Sequence, residues 1–386
     1  MRILADDNIP YAAEAFGHLG EVEVRPGPSL VPTDLAGVDV LLVRSTVRVD
    51  AALLAECAPR FVGTATIGTD HVDLEYLASR GIPFASAPGS NANSVAEYVF
   101  AALLELAADN DGRPLAGRTL GIVGVGNVGS RVAAMARALG MRAVLNDPPR
   151  ARREGPGAFV ELGVLLAESD IVTLHVPLTR EGPDATHHLA GPGFFARLRE
   201  GATFVNTSRG AVADSAALGC ELDAGRIGSA VLDVWDGEPA FDPGLAARAR
   251  IATMHIAGHS FDGKVLGTRI LYEAACRALG AQADWRVELP PPEVRLLELD
   301  AAGRARDDVL REAVRAVYDV RRDDAALRAL CDLAPAERGR RFDALRRGYP
   351  VRREFFNTEV ALAGGGEEIE TALAALGFRT SEGGGG

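Results

Sequence analysis

Lysine is almost absent from this 386-residue chain: of its 41 basic residues only Lys264 is lysine, and the rest are arginine. Basic charge is itself the minority, since 53 acidic residues leave a formal net charge of −12 at pH 7. Sequence-independent nucleic-acid binding needs a basic face to displace counterions, so no nucleic-acid partner is expected. An anionic small molecule stays open, because a pocket can be basic on an acidic body. Cysteine is scarce too. Cys57, Cys220, Cys276 and Cys331 show no CxxC and no paired spacing, which speaks against a zinc site or a disulfide framework and for thiols in a reducing compartment; no metal is expected. No apolar run reaches the roughly 18 residues that cross a bilayer. The longest candidate, residues 95–108, is interrupted by Glu97 and Glu105 and reads as a buried helix. The start, MRILADDNIPY, lacks the basic-then-apolar pattern of a secretory signal. A cytoplasmic protein with no membrane partner is the expectation.

What the chain does have is a globular composition, 47% hydrophobic and 24% charged, and enough length for two or three domains. Strand-length apolar runs at 2–5, 38–43 and 61–65 alternate with helical patterns at 50–56 and 73–80, the rhythm of a parallel α/β sheet. After Pro88-Gly89-Ser90-Asn91 a long helix is expected over 92–108, then a polar loop at 109–114. A second α/β rhythm follows, with strands at 119–123, 143–146, 170–174, 203–206, 230–234 and 251–253 and a last long helix at 261–280. Pro290-Pro291-Pro292 is a stiff linker signal. Beyond it, a strand at 293–299, helical runs at 307–318, 326–347 and 367–376, and short segments at 355–360 and 378–380 suggest a small α+β unit. The glycine-rich end at 383–386 has no side chains to pack and is expected to be disordered. The fold class expected is α/β: two doubly wound, Rossmann-like parallel-sheet lobes plus a small C-terminal α+β domain.

GVGNVG, with Gly124, Gly126 and Gly129 flanking Asn127 and Val128, follows the apolar strand TLGIV and opens a helix. In that context the first glycine permits a tight turn and the second lets the backbone approach a pyrophosphate. The third lets helix and strand pack closely, and the helix N-terminus favours the phosphates. Asp147, 18 residues after Gly129 at the end of the next strand, would grip ribose hydroxyls and repel a 2′-phosphate, favouring NAD over NADP. Arg150 and Arg152 lie close by and temper that preference.

Hydride transfer at an alcohol carbon also needs a proton acceptor and a group to hold the substrate's anionic end. Arg209, Glu238 and His255 each follow a predicted strand, where doubly wound sheets build their sites. An arginine fork holds a carboxylate by two hydrogen bonds, and a histidine partnered by a carboxylate suits proton exchange near neutral pH. Arg44, Ser45 and Arg48 form a further basic and hydroxylic cluster after the strand at 38–43.

GVGNVG, Asp147, HVPLT, NTSRGAV, DVWDGEP and TMHIAGH together resemble the D-isomer-specific 2-hydroxyacid dehydrogenases over roughly residues 1–284. The resemblance implies a substrate-binding domain at 1–94 and 257–286, an NAD-binding domain at 95–256, and Arg209, Glu238 and His255 as catalytic residues. Finer features, VRSTVRV, FVGTATIGTDHVD, NDPPRA and a tail containing FDALRRGYPVRREF, resemble one branch of that family. By that resemblance Ser45, Thr66 and His259 meet the substrate, with His259 standing where the branch has tyrosine, and the basic cluster adds Arg44 to them as an expected substrate contact. Asp147, Val176 (where the branch has threonine), Thr207, Asp233 and Gly258 join the glycine-rich turn at NAD. The branch also implies a homodimer through a C-terminal domain at 287–382 and the oxidation of 4-phospho-D-erythronate to 2-oxo-3-hydroxy-4-phosphobutanoate on the way to pyridoxal 5′-phosphate. The alternatives are a relative acting on phosphoglycerate or glyoxylate, and an NAD-sensing binding protein without catalysis.

Overall fold

The computed structural model describes residues 1–55, 57–109, 113–364 and 366–382. Residues 110–112 of the expected polar loop, and the expected disordered tail at 383–386, lie outside them.

The described chain divides into two compact units, one of residues 1–91 and 259–290, the other of 92–258 and 291–386. The first holds a five-stranded sheet of β1 (Arg2–Asp6), β2 (Glu21–Arg25), β3 (Val40–Val43), β4 (Phe61–Thr64) and β5 (Phe84–Ala85). Its order is β2-β1-β3-β4-β5 and every pairing is parallel. β3 and β4 are buried at every position, as strands covered on both faces must be. The helix Phe261–Leu279 belongs to this unit. Ser260 caps it by accepting a hydrogen bond from the Gly263 amide, and Gly280 ends it at φ 70°.

The second unit carries six parallel strands in the order β11-β10-β9-β8-β6-β7. They are β6 (Thr119–Val123), β7 (Arg142–Asn146), β8 (Ile171–Leu174), β9 (Ala202–Asn206), β10 (Ile227–Leu232) and β11 (Ile251–Ala252). β6, β8 and β9 are fully buried. Beyond Pro290 a separate parallel sheet forms from β12 (Leu296–Asp300), β13 (Glu359–Ala363) and β14 (Arg379–Glu382). The sequence sets residues 287–382 apart as a domain of their own, yet the contacts place 291–386 in one unit with the six-stranded sheet. A single apolar cluster runs from Leu104 and Ile122 to Leu310, Phe342 and Leu373. The helix Val320–Arg328 also covers the sheet edge: Asp324 accepts the Ala252 amide at 2.8 Å, and Arg328 donates to the carbonyls of Ala246 and Ala249 at 3.0 and 2.8 Å.

Two expected helices differ from the structure. Residues 51–55 form turns: the Asp50 carboxylate takes the amides of Ala52 and Leu53 as a helix cap would, and the Asp50 carbonyl takes that of Leu54 at 3.0 Å, but no helix follows among the described residues. The run at 326–347 is two helices, Val320–Arg328 and Pro335–Arg347. Pro335 can start a helix but cannot donate within one. Among the described residues, no helix is long and apolar enough to cross a membrane.

Candidate active site

In the six-stranded sheet the connections reverse direction between β6 and β8, the place where such sheets bind ligands. Gly124 follows β6 at φ 85°, and a Cβ there would stand 2.7 Å from the His175 carbonyl oxygen and the Val176 side chain, which follow β8. A Cβ on Gly129 would stand 2.0 Å from the Gly124 carbonyl oxygen, so both glycines are required by packing. Gly126 differs: open space surrounds its missing Cβ, and it precedes the helix Asn127–Ala138 without a side-chain cap. The first amides of that helix therefore stay available, with the helix dipole, for an anion. The turn fits a dinucleotide's pyrophosphate.

Asp147 ends up where the sequence puts it, one carboxylate oxygen accepting the Val125 amide at 2.8 Å and the other the Arg150 amide at 3.0 Å. Each oxygen keeps a lone pair for a ribose hydroxyl. The neighbouring arginines are already neutralised. Arg150 pairs with Glu154 and stacks 5.2 Å above the Phe159 ring, while Arg152 pairs with Asp184. Hydrogen bonds from Arg150 and Arg153 hold the Glu154 carboxyl down at about 2. A cofactor 2′-phosphate would have to displace these pairs, which favours NAD. Thr207 lies at 3.3 Å from Nδ1 of His175, whose Nε2 lies at 3.0 Å from the Thr173 hydroxyl. Burial pushes the His175 imidazole down to about 3, so it stands neutral beside the glycine-rich turn. His175 opens the HVPLT motif, but its burial, which gives it this part, leaves no mark in the motif.

Arg209 follows β9. Buried Asn206 shapes its turn, accepting from the Ser208 amide and hydroxyl and donating to the Arg209 carbonyl at 3.0 Å. A Cβ on Gly210 would stand 1.9 Å from the Trp235 carbonyl carbon. The Arg209 loop thus lies backbone to backbone on the loop after β10, which carries Glu238. There the Trp235 amide donates to one Glu238 oxygen at 2.8 Å, and the other stands 2.7 Å from Nδ1 of His255. Burial raises the Glu238 carboxyl, but the charge and hydrogen bond of His255 outweigh it and hold the group below the usual carboxylate range. An anionic acceptor at Nδ1 fixes the proton there and leaves Nε2 as the basic nitrogen.

The His255 backbone sits at φ 57°, a left-handed conformation that costs a non-glycine residue about 1–2 kcal/mol. Its neighbours hold it. The Asp233 carboxylate, 1% exposed, accepts from the Thr253 hydroxyl at 2.6 Å and from the amides of Ile256 and Ala257 at 2.8 and 3.0 Å. Asp233, expected at the cofactor, thus braces the turn that presents His255, and the oxygen that takes the Ala257 amide keeps one lone pair. Just beyond that turn, before Gly258, the Ala257 carbonyl accepts from the Ser94 hydroxyl at 2.9 Å and from the buried Arg352 guanidinium at 3.4 Å. The same guanidinium donates to the Ser94 carbonyl at 2.9 Å, lies 3.3 Å from Glu97, and stacks 3.8 Å over the Tyr318 ring. Arg352 lies in the stretch FDALRRGYPVRREF, whose resemblance points to a C-terminal domain and not to this turn.

The expected substrate residues lie in the first unit, at the carboxyl edge of its sheet. Arg44 and Ser45 follow β3, Thr66 follows β4, and His259 precedes the helix Phe261–Leu279. Arg44 donates to the Ala65 carbonyl at 3.3 Å, and the Thr66 hydroxyl donates to the Gly68 carbonyl at 2.9 Å. Arg48 does not join them; exposed, it pairs with Asp50 at 2.8 Å.

Residues 95–257 match the family model described as D-isomer specific 2-hydroxyacid dehydrogenase, NAD binding domain, and 289–377 match one described as a domain of unknown function. A relative from Salinibacter ruber, named erythronate-4-phosphate dehydrogenase, is 52% identical over 92% of this chain and 92% of its own. One of the same name from Cronobacter sakazakii is 48% identical over 99% of each. The crystal structure of D-lactate dehydrogenase from Aquifex aeolicus, complexed with NAD and lactic acid, superposes with a TM-score of 0.60 at 25% identity, covering 72% of this chain and 96% of that one. With its NAD cradle and its histidine–glutamate pair, the chain belongs to the D-isomer specific 2-hydroxyacid dehydrogenase family, among the relatives named erythronate-4-phosphate dehydrogenase.

Proposed function

We propose that the chain oxidises erythronate 4-phosphate at C2, giving 2-oxo-3-hydroxy-4-phosphobutanoate, as a step toward pyridoxal 5′-phosphate. NAD, when bound, supplies the carbon that accepts the C2 hydride. The protein's own part is to bind, orient and take the proton. Arg209 holds the C1 carboxylate with its fork, and Nε2 of His255 accepts the C2 hydroxyl proton as that oxygen becomes a carbonyl. Glu238 keeps the Nδ1 proton in place and stabilises the imidazolium that results. Asp147 and the amides after Gly126 would hold ribose and pyrophosphate, with Val176, Thr207 and Gly258 beside them. The 2.7 Å contact between His255 and Glu238 carries this reading, since an NAD-sensing protein has no use for a proton acceptor.

His255→Ala should lower kcat by roughly 10²–10⁴-fold while leaving NAD affinity unchanged; retained turnover would end the assignment. A panel of hydroxy acids with NAD and NADP tests the substrate. Turnover of phosphoglycerate or glyoxylate in place of erythronate 4-phosphate would move the enzyme to another branch, and no NADH formation at all would make it a sensor. The same reading makes the enzyme a cytoplasmic homodimer joined through residues 287–382, and three exposed apolar side chains there, Leu296, Val351 and Phe356, support it.

A further inference from the structure

In the five-stranded sheet the connections reverse direction between β1 and β3, so a ligand is expected beyond the carboxyl ends of those strands. Arg44 stands there, its guanidinium on the Ala65 carbonyl. The helix Phe261–Leu279 runs past the same edge. Leu271 lies 3.3 Å from where a Cβ on Gly63, inside β4, would stand, and a Cβ on Gly267 would stand 3.7 Å from the carbonyl oxygen of Ala65, just after β4. Lys264 is one turn earlier on the same helical face, and therefore lies past the end of the strands.

Lys264 is half-buried, and its ammonium makes no hydrogen bond or ion pair with a described residue. Burial, reinforced by the like charge of Arg44, pulls its ammonium down to about 8. The Asp6 carboxylate faces Arg44, but the Lys264 ammonium meets only burial and the charge of Arg44, which is unfavourable for a cation unless an anion reaches it. It is also the one position where a chain otherwise built with arginine keeps lysine, and an ammonium is a compact point charge where a guanidinium is a broad plane.

We propose that Arg44 and Lys264 form an anion subsite for a dianionic phosphate monoester, and that Lys264 sets the preference for a phosphorylated over an unphosphorylated hydroxy acid. The identity of that monoester as the substrate's C4 phosphate rests on the reaction proposed above; the subsite itself does not. Orthophosphate carries the same chemistry and serves as the probe.

Lys264 and the N-terminal amine are the two amino groups open to acylation. In the full-length protein at pH 8, mass spectrometry can follow an amine-reactive ester at both, the N-terminus serving as internal control. Orthophosphate in the tens of millimolar should slow labelling of Lys264 several-fold and leave the N-terminus unaffected. Equal rates with and without phosphate would overturn the subsite, whatever the enzyme turns over. The second measurement is the ratio of kcat/KM for erythronate 4-phosphate to that for erythronate. Lys264→Gln should lower this ratio roughly 10- to 100-fold, the worth of one charge-assisted hydrogen bond, and Lys264→Arg should restore it in part. A ratio unmoved by Lys264→Gln in a folded variant would remove Lys264 from substrate selection. If wild type itself shows no preference for the phosphorylated acid, the proposed reaction falls, and phosphate protection of Lys264 still decides the subsite.

Discussion

Burial keeps the imidazole of His175 neutral, at about 3, and that has a consequence for stability. The unfolded chain takes up this proton near pH 6.5, while the folded chain resists it. The contribution is therefore complete above about pH 6.5 and is lost progressively as pH falls toward 3, because the unfolded state binds more protons across that window. His175→Gln removes the titration while keeping a polar side chain between Thr173 and Thr207. Between pH 7.5 and pH 5 the wild type should lose about 1–2 kcal/mol more stability than the variant, as read from urea midpoints at the two pH values. Equal losses would mean that His175 is protonated in the native state. At this scale the sequence was informative wherever function coincides with position after a strand. Arg209, Glu238 and His255 each follow one, and the structure brings the last two to hydrogen-bond distance. It was silent wherever function depends on what surrounds a side chain. The neutrality of His175 and the part of Asp233 in holding a left-handed histidine are products of burial and long-range hydrogen bonds, and neither leaves a pattern in neighbouring residues.

Between elements, two glycines make opposite forecasts. At Gly210 a methyl group would stand 1.9 Å from backbone of the Trp235 loop, which cannot yield as a flexible side chain would. Gly210→Ala should push the loop after β9 off the loop after β10, lowering stability by about 1–3 kcal/mol and kcat on the order of 100-fold, since a displacement of about 1 Å suffices for that. At Gly126 a methyl group meets open space, so Gly126→Ala should leave the melting temperature unchanged and raise the KM for NAD by filling the pyrophosphate cradle. Thermal melts beside steady-state kinetics separate the two; a melting loss at Gly126, or none at Gly210, would contradict the geometry. The role of Gly126 was legible because strand, turn and helix are contiguous in the chain. That of Gly210 was not, because its partner lies 25 residues away on another strand's loop. The helix expected at 50–56 fails for another reason than Asp50, which takes the amides of Ala52 and Leu53 as a cap would while residues 51–55 stay in turns.

Across the whole molecule, the proline-rich break at 290–292 marks a change of sheet without a change of core. The glutamate at 105, near the end of the helix Ala92–Asp109, is bonded through both oxygens by Arg315. The Leu115 amide is held by Asp307 at 2.7 Å. Arg352 reaches the Ala257 carbonyl beside the His255 turn, and Phe342 packs 5.8 Å from Phe241, three residues past Glu238. Deleting residues 291–386 would therefore strip apolar cover from the catalytic unit itself, and the truncated chain should fail to fold rather than yield a monomer. A test of dimerisation must leave that core intact. Val351 and Phe356 meet the requirement, being 70% and 48% exposed and outside the buried cluster. Val351→Asp combined with Phe356→Asp places two charges where a self-complementary interface would have to desolvate them. Sedimentation should show the doubly substituted protein as a monomer with an unchanged far-ultraviolet spectrum and an unchanged melting midpoint at low protein concentration. If it sediments as a dimer, these side chains lie outside the interface. If instead the wild type sediments as a monomer, the C-terminal sheet serves its own chain alone, as the anchor that holds the His255 turn through Arg352.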